Sequence, residues 1–284
     1  MYNSPSENVY FVHITDTHIG SSPEFRLYGV PTYPALNRVI DTINSLKVRP
    51  DFIIHTGDIV NDAKQESYRI ASELFAKLEV PIYYVTGNHD RAGYIKALLP
   101  SGEYQLLAEG EDKLAYAFNV KGHRFITLDA RGPDEIDPQG LLPTEQLVIL
   151  ARELNTASLP VTVFIHFPPI PLDSPWLDRD MLLLNGGQLH QVLVKAQPRL
   201  RGVFFGHVHG STQILKDGIL YSSVGSTFCQ FTAWPTDDEV TYEPRCPAFF
   251  NFVTLTQTQT IIKEHLIYQP SENLSGWYRD DPGH

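Results

Sequence analysis

The sequence predicts an α/β fold with two stacked, mixed β-sheets that are flanked by helices. In the first half of the chain, β-branched and aromatic runs alternate with helical patterns, which is typical of βαβ units. In the second half, paired apolar runs flank turn sequences, which indicates hairpins and ribbons. The 284 residues, 42% hydrophobic and 19% charged, can bury one large core, and we expect a single domain over residues 1–268.

The first half supplies the strands that we expect to be parallel. Residues 9–14, 51–54 and 81–85 are short apolar runs that predict buried strands. Residues 33–46 and 64–78 carry apolar side chains at helical spacing and predict two amphipathic helices between those strands. A strand–helix–strand order requires crossover connections, so these strands should lie at least partly parallel.

The second half predicts hairpins, two further helices and a final ribbon. The expected elements are a hairpin around residues 120–122, a helix over 144–154, a strand over 161–165, a helix over 189–195, a strand over 203–205, a hairpin around 216–218 and a ribbon over 249–267. Residues 168–187 and 227–247 are rich in proline and aromatic residues and are interpreted as loops at the rim of a substrate site. The polar segment 269–284 is expected to be a peripheral tail.

Net charge and composition indicate which classes of partner and which cellular location to expect. Lys and Arg number 22 against 33 Asp and Glu, a net charge of −11, which argues against a nucleic acid or an anionic membrane as partner. No apolar run approaches the roughly 20 residues that span a bilayer. The first residues show no secretory signal pattern, so we expect a cytoplasmic protein. Cys229 and Cys246 form no C-x-x-C pair; free thiols are favoured, and a disulfide is sterically open.

Five short motifs carry metal-ligand side chains, and each follows a strand-like run. They are Asp16-Thr17-His18, Gly57-Asp58, Gly87-Asn88-His89-Asp90, His166 and Gly206-His207-Val208-His209. Apart from His89 and Asp90, they supply two carboxylates, one amide oxygen and four imidazoles, which is enough to hold two divalent metals close together. Asp58 is the predicted bridging ligand, because a carboxylate has two oxygens and Gly57 allows a sharp turn before it.

Spacing within the motifs suggests which ligands act together. Side chains at i and i+2 share one face of an extended strand, so Asp16 and His18 should reach the same ion if the strand end stays extended. His207 and His209 have the same spacing, but the neighbouring Gly206 and Gly210 would allow a turn of the backbone that sends them to different ions. Each motif alone is more typical of a turn or a structural histidine; only the joint occurrence predicts a metal centre. The six other histidines are interpreted as structural or solvated, with His13 and His55 packed in strands or supporting the ligands.

As a set, these motifs resemble the calcineurin-like metallophosphoesterases, whose pattern is D-x-H, G-D, G-N-H-D/E, H and G-H-x-H. Finer features are similar to the bacterial class III cyclic nucleotide phosphodiesterases and their glycerophosphodiesterase relatives. These features are His166-Phe167-Pro168-Pro169, Trp176-Leu177-Asp178 and Gly225-Ser226-Thr227. The resemblance implies the four-layer metallophosphoesterase sandwich.

The resemblance also implies a ligand set and roles. One metal would be held by Asp16, His18, Asp58 and His209, and the other by Asp58, Asn88, His166 and His207. His89 would face the substrate as a catalytic residue, and Asp90 would orient His89. The cofactors would be two divalent or trivalent ions, with Mn, Fe, Zn and Co all compatible with these donors.

The function implied is a dinuclear phosphodiesterase that hydrolyses small phosphodiesters, foremost 3′,5′-cyclic nucleotides, by attack of a hydroxide bridging the metals. A glycerophosphodiesterase, or a broader phosphomonoesterase or nuclease of the same superfamily, is the enzymatic alternative. A protein-binding scaffold without metal is the non-enzymatic one. A homodimer or larger homo-oligomer is left open.

Overall fold

The computed structural model describes residues 8–108, 112–156 and 159–268. The strands, in chain order, are β1 (Val9–Ile14), β2 (Arg26–Leu27), β3 (Val30–Pro31), β4 (Phe52–His55), β5 (Ile82–Tyr84), β6 (Gln105–Leu106), β7 (Tyr116–Val120), β8 (His123–Thr127), β9 (Val161–Phe164), β10 (Leu200–Phe205), β11 (Gln213–Lys216), β12 (Ile219–Ser223), β13 (Gln230–Phe231), β14 (Tyr242–Glu243), β15 (Ala248–Leu255) and β16 (Thr260–Ile267). The helices are α1 (Thr32–Asn44), α2 (Gln65–Phe75), α3 (Ala92–Leu98), α4 (Thr144–Thr156), α5 (Pro175–Asp180) and α6 (Gly186–Val194). Short 3-10 helices cover Asp134–Ile136 and Gln197–Arg199.

Two large mixed sheets form the centre of the fold, as predicted. The first has the order β16-β15-β1-β4-β5, with β1, β4 and β5 parallel and the β15–β16 ribbon antiparallel. The second has the order β11-β12-β10-β9-β8-β7-β6, with a parallel centre of β12, β10, β9 and β8. Parallel strands end at the same edge of a sheet, so the loops that follow them lie together.

Aromatic side chains join the two sheets. Phe11 of β1 contacts Phe125, Phe164 and Phe204 of the second sheet with ring centroids 5.3–6.2 Å apart. Edge-to-face contacts of this kind pack well in a buried layer. The apolar sides of α1 and α2 join the core around the first sheet, and those of α4 and α6 join the core of the second. The predicted α/β sandwich is confirmed.

Turn chemistry explains the two predicted hairpins. In the first turn, Lys121 and Gly122 have φ of 47° and 75°. In the second, Asp217 and Gly218 have φ of 50° and 75°. Two residues with positive φ make the tight turn whose twist matches antiparallel strands. Both hairpin predictions are confirmed by the pairing of β7 with β8 and of β11 with β12.

The two segments interpreted as loops contain regular structure, so that interpretation was wrong in part. Residues 168–187 include α5 and the start of α6, and residues 227–247 include the β13–β14 ribbon. Helix α3 and the β2–β3 hairpin were not foreseen either. All of these elements are short, and short elements are held by neighbours rather than by their own periodicity.

Cys229 and Cys246 are both free thiols. Over the described residues, the structure contains no helix that is both long and apolar enough to cross a membrane. The expected tail, 269–284, lies outside the described residues, and the single domain over 1–268 stays a prediction.

Candidate metal centre

All five sequence motifs follow the carboxyl ends of strands and meet between the two sheets. Asp16 and His18 follow β1, Asp58 follows β4 and Asn88 follows β5, all in the first sheet. From the second sheet, His166 follows β9, and His207 and His209 follow β10. Every one of these side chains except that of Asn88 is buried.

Backbone turns, rather than extended strand ends, aim the ligands. Strand β1 ends at Ile14, and Asp16 and His18 have φ of 52° and 43°. The expectation that these two residues share the face of an extended strand was therefore wrong, although their side chains do converge. Positive φ also occurs at Asp58 (55°), His207 (73°) and His209 (42°). Non-glycine residues adopt this conformation at a cost, and such strain is concentrated at functional sites.

The first cluster consists of Asp16, His18 and His209. The Nε2 atoms of His18 and His209 are 3.1 Å apart. Oδ1 of Asp16 lies 3.5 Å from Nε2 of His209 and 3.9 Å from Nε2 of His18. Three donor atoms therefore converge on one point, as the ligands of a cation do.

The second cluster consists of Asp58, His166 and His207, with Asn88 beside it. Oδ1 of Asn88 is 3.2 Å and Oδ2 of Asp58 is 3.5 Å from Nε2 of His166. Oδ2 of Asp58 is also 3.6 Å from Nε2 of His18 in the first cluster. Asp58 thus stands between the clusters, where a shared ligand would have to be.

Unpaired atoms show that these residues fit a cation pair. Oδ1 of Asp16 and both ring nitrogens of His207 are buried with no hydrogen-bond partner among the described residues. Buried polar atoms normally have partners, so an unpaired group of this size calls for an ion. The outer nitrogens of two other rings are fixed: Nδ1 of His166 donates to the Thr56 carbonyl at 2.7 Å, and Nδ1 of His209 donates to the Cys229 carbonyl at 2.9 Å. These bonds leave Nε2 of each ring facing the cluster, as in many metal sites.

Burial and mutual charge shift the pKa values of the ligands. Burial raises the pKa of Asp16 to about 7. Burial also acts to raise the pKa of Asp58, but the charges of His166 and His89 outweigh it and hold that pKa well below its usual range. Burial acts to lower the pKa of His166, but Asp58 raises it to about 9. Burial lowers the pKa of three further imidazoles, which are therefore neutral and able to bind metal at pH 7: His18, His207 and His209.

His89 lies beside both clusters. One of its ring nitrogens is within 4.8 Å of donor atoms of His18 and Asp58. Nδ1 of His89 donates to the Asn61 carbonyl at 2.7 Å, which fixes the ring. Burial acts to lower the pKa of His89, but Asp58 and the Asn61 carbonyl raise it above its ordinary value. The protonated imidazole is therefore favoured at this position.

The expected orienting role of Asp90 needs correction. Within the described part of the chain, its carboxylate makes no hydrogen bond to the His89 ring, because Asn61 occupies that place. Asp90 instead accepts from the backbone N–H groups of Gly87 at 3.0 Å and Ile59 at 3.2 Å, and from the Tyr68 hydroxyl at 3.3 Å. It holds the loops after β4 and β5 together and acts on His89 through its charge.

Two further residues, neither of them assigned a defined role from the sequence, support the ligand motifs. His55, at the end of β4, accepts from Gly57 N–H through Nδ1 at 3.2 Å and lies 3.0 Å from Oγ1 of Thr17 through Nε2. It thereby ties the first two motifs together. Nε of Arg131 donates to the Asn88 carbonyl at 3.3 Å. The only signal in the sequence was the position of His55 two residues before Gly57; nothing near Arg131 indicated its contact.

A chamber of about 620 Å³ opens above the clusters. Both segments interpreted as rim loops line it, through Trp176 and Arg179 on one side and Phe231 and Tyr242 on the other. Nε1 of Trp176 donates to the Thr232 carbonyl at 3.1 Å and so joins the two segments. The volume is that of a small-molecule site.

Comparison with known proteins gives consistent matches. The sequence profile of the calcineurin-like phosphoesterases matches residues 9–211. The 3′,5′-cyclic adenosine monophosphate phosphodiesterase CpdA of Vibrio vulnificus (strain CMCP6) is 28% identical over 247 residues, which cover 86% of this chain and 85% of that protein. The glycerophosphodiester phosphodiesterase GpdQ of Enterobacter lignolyticus (strain SCF1) is 32% identical over 206 residues, 70% of each chain. A dimetal phosphatase from Danio rerio has a similar fold, with a TM-score of 0.63 at 17% identity over 94% of this chain and 100% of that one.

Proposed function

The chain belongs to the calcineurin-like phosphoesterase family, and on that premise we propose that it is a metal-dependent phosphodiesterase of small phosphodiesters, foremost 3′,5′-cyclic nucleotides. The observation that carries the proposal is the pair of buried donor clusters with Asp58 between them, 3.6 Å from Nε2 of His18 and 3.5 Å from Nε2 of His166. The names of the relatives, cyclic nucleotide and glycerophosphodiester phosphodiesterases, support the reaction class.

The proposed ligand sets follow the two clusters. Asp16, His18, Asp58 and His209 would hold one cation, and Asp58, Asn88, His166 and His207 would hold the other. Imidazole, carboxylate and amide donors suit Mn, Fe, Zn or Co. When bound, such a pair supplies the Lewis acidity that activates water and neutralises charge on the phosphoryl oxygens.

His89 is the proposed proton donor to the leaving oxygen. Its Nδ1 is committed to the Asn61 carbonyl, so Nε2 is the nitrogen that can hold and deliver a proton. A positioned acid of this kind contributes about 10²–10⁴-fold to the rate. Asp90 and Asn61 support it by fixing the loop and the ring.

Charge and size support a small monoanionic substrate. The chain carries a net charge of −11, and Asp180 and Glu239 line the chamber beside Arg179. A polyanion such as DNA would be repelled by this surface. The chamber of about 620 Å³ matches a nucleotide-sized ligand.

A glycerophosphodiester is the second candidate substrate. The relatives with 32% identity are the glycerophosphodiesterases, whereas the cyclic AMP phosphodiesterases are matched at 28% over more of the chain. A cytoplasmic location and a homodimeric or larger assembly also stay predictions from the sequence.

A substrate panel tests the proposal. Purified protein with Mn²⁺ would be given bis-p-nitrophenyl phosphate, p-nitrophenyl phosphate, cyclic AMP, glycerophosphoethanolamine and single-stranded DNA. We expect turnover of the diesters well above that of the monoester and the DNA, with kcat/KM for cyclic AMP highest among the biological compounds. Faster turnover of glycerophosphoethanolamine would favour the second candidate. No turnover of any compound after reconstitution with Mn²⁺, Fe²⁺, Zn²⁺ or Co²⁺ would support the scaffold alternative instead.

A further inference from the structure

Aromatic side chains form one wall of the chamber and extend from the metal centre to its mouth. Phe231 stacks on the His209 ring, with centroids 4.1 Å apart and planes at 3°. Tyr242 contacts Phe231 at 5.3 Å, and Tyr28 stacks on Tyr242 at 3.9 Å. We call Phe231, Tyr242 and Tyr28 the aromatic row. All three side chains line the chamber.

The outer end of the aromatic row has an unusual backbone conformation. Tyr28 and Gly29 form the turn between β2 and β3, with φ of 50° and 80°. Asn, Asp or Gly adopts this turn at low cost, whereas a bulky residue with positive φ is an outlier. Tyr28 and Tyr242 are also 41% and 39% exposed, so neither belongs to the core. An outlier of this kind at a chamber mouth points to a role in binding.

Charges around the aromatic row define what it can accept. Of the described residues that line the chamber, Arg179 alone has a side chain with a permanent positive charge. Its guanidinium is already paired with Asp180 at 2.7 Å and donates to the Asp238 carbonyl at 3.2 Å. Glu239 adds a further negative charge at the mouth. A second phosphate on the substrate would therefore find no free cation here.

We propose that the aromatic row binds an uncharged planar heteroaromatic ring, a nucleobase, carried by the phosphodiester whose phosphate reaches the metal centre. This inference rests on the proposed function and narrows its substrate class toward cyclic nucleotides. Every base has a π-face that can stack on an aromatic side chain, whereas a glycerol moiety has none. Phe231 and Tyr242 lie beyond residue 211, where the family match ends.

Binding of two product-like ligands isolates the contribution of the base. Isothermal titration of the Mn²⁺-loaded protein would compare 5′-AMP with ribose 5-phosphate, which has the same phosphate and sugar but no base. We expect 5′-AMP to bind roughly fivefold to a hundredfold more tightly, the range for stacking of one base. Tyr28→Ala and Tyr242→Ala should each reduce that ratio, while Tyr28→Phe and Tyr242→Phe should keep it because the ring remains.

Trp234→Ala is the matched control. Trp234 lies in the same segment as Tyr242 and is 69% exposed, but it does not line the chamber. This variant should leave the ratio of the two affinities unchanged. Phe231 is left intact because its ring packs on a proposed metal ligand.

Kinetics on two diesters give the second readout and separate this inference from the proposed function. In Tyr28→Ala and Tyr242→Ala, KM for cyclic AMP should rise at least fivefold while kcat changes less than twofold, and KM for glycerophosphoethanolamine should stay constant. Equal effects on both substrates, or an affinity ratio near one in the wild type, would overturn the nucleobase site while leaving a diesterase in place. If an alanine variant does not fold, as judged by thermal unfolding, the two phenylalanine variants and the wild-type affinity ratio still decide the question. A wild type that hydrolyses no diester would refute the proposed function itself.

Discussion

Replacement of His55 by phenylalanine would test how the first two motifs are held in place. His55 is fully buried at the end of β4, between the rings of Phe75 and Tyr84. Its Nδ1 accepts the N–H of Gly57, so Nε2 carries the hydrogen and donates to Oγ1 of Thr17. Phenylalanine keeps the ring and its packing but removes both polar contacts.

The expected loss in the free energy of unfolding is about 2 kcal/mol. The buried Gly57 N–H would be left without an acceptor, which costs about 1–3 kcal/mol. Thr17 still donates to the Ile59 carbonyl at 2.8 Å, so its loss is one ordinary hydrogen bond, about 0.5–1.5 kcal/mol. A more apolar ring against Phe75 and Tyr84 regains about 1 kcal/mol.

The loss of stability in His55→Phe should be smaller at acid pH than at neutral pH. Burial lowers the pKa of His55 to about 3 in the folded protein, below the 6.5 of the unfolded chain. Below pH 6.5 the unfolded wild type binds a proton that the folded one excludes, so wild-type stability falls there by up to about 1.4 kcal/mol per pH unit. The difference in the free energy of unfolding between the wild type and His55→Phe therefore has its largest value above pH 6.5 and decreases below it.

Urea unfolding in EDTA at pH 8.0 and pH 5.5 measures both effects without a contribution from metal binding. His123→Phe is the matched control, because His123 is 3% exposed, stacks on Phe125 and has an unpaired Nδ1; its loss should be below about 1 kcal/mol. Mn²⁺ affinity of His55→Phe should fall about 10- to 100-fold, as for other residues that support metal ligands. Equal stability losses in the two variants, or unchanged Mn²⁺ affinity in His55→Phe, would refute the reasoning.

Three further predictions concern catalysis, close packing and metal linkage. His89→Ala should lower kcat for a diester about 10²–10⁴-fold with metal content unchanged by elemental analysis, and loss of metal would assign His89 to the ligands instead. Gly206→Ala should lower the melting temperature and Mn²⁺ affinity, because a Cβ there would lie 2.0 Å from Oγ1 of Thr15 and 3.0 Å from Oδ2 of Asp16. Gly187→Ala, with open space around it, is its control, and equal shifts would contradict the steric argument. EDTA should lower the melting temperature of the wild type by about 5–10 °C and Mn²⁺ should restore it; an unchanged melting temperature would mean that no stabilising ion is bound.

The two sheets and the convergence of the five motifs were predictable from the sequence. Both follow from the order of the apolar runs along the chain and from the polar residues that come directly after them. Apolar runs such as residues 9–14 and 161–165 can be buried only as sheet centres, and polar residues directly after them must lie at the sheet edge. The positive φ of Asp16 and His18 was not predictable, since neither is glycine. It is imposed by hydrogen bonds to the loop after β4, from Asp16 N to Gly57 O and from His18 N to Asp58 O, both at 3.0 Å.

Contacts between distant segments account for the remaining differences. The role expected for Asp90 came from its position beside His89, but the Asn61 carbonyl lies nearer to the ring. The β13–β14 ribbon has two residues per strand, too few to show a period of two. Tyr28 meets Tyr242 across 214 positions of the sequence, a pairing that no local pattern indicates.

Anomalous diffraction from crystals grown with Mn²⁺ tests the shared-carboxylate centre most directly. We expect two strong peaks per chain, about 3.5–4 Å apart, with the carboxylate of Asp58 within bonding distance of both. One peak should adjoin the Asp16 cluster and the other the imidazoles of His166 and His207. A single peak, or two peaks of which only one contacts Asp58, would contradict it.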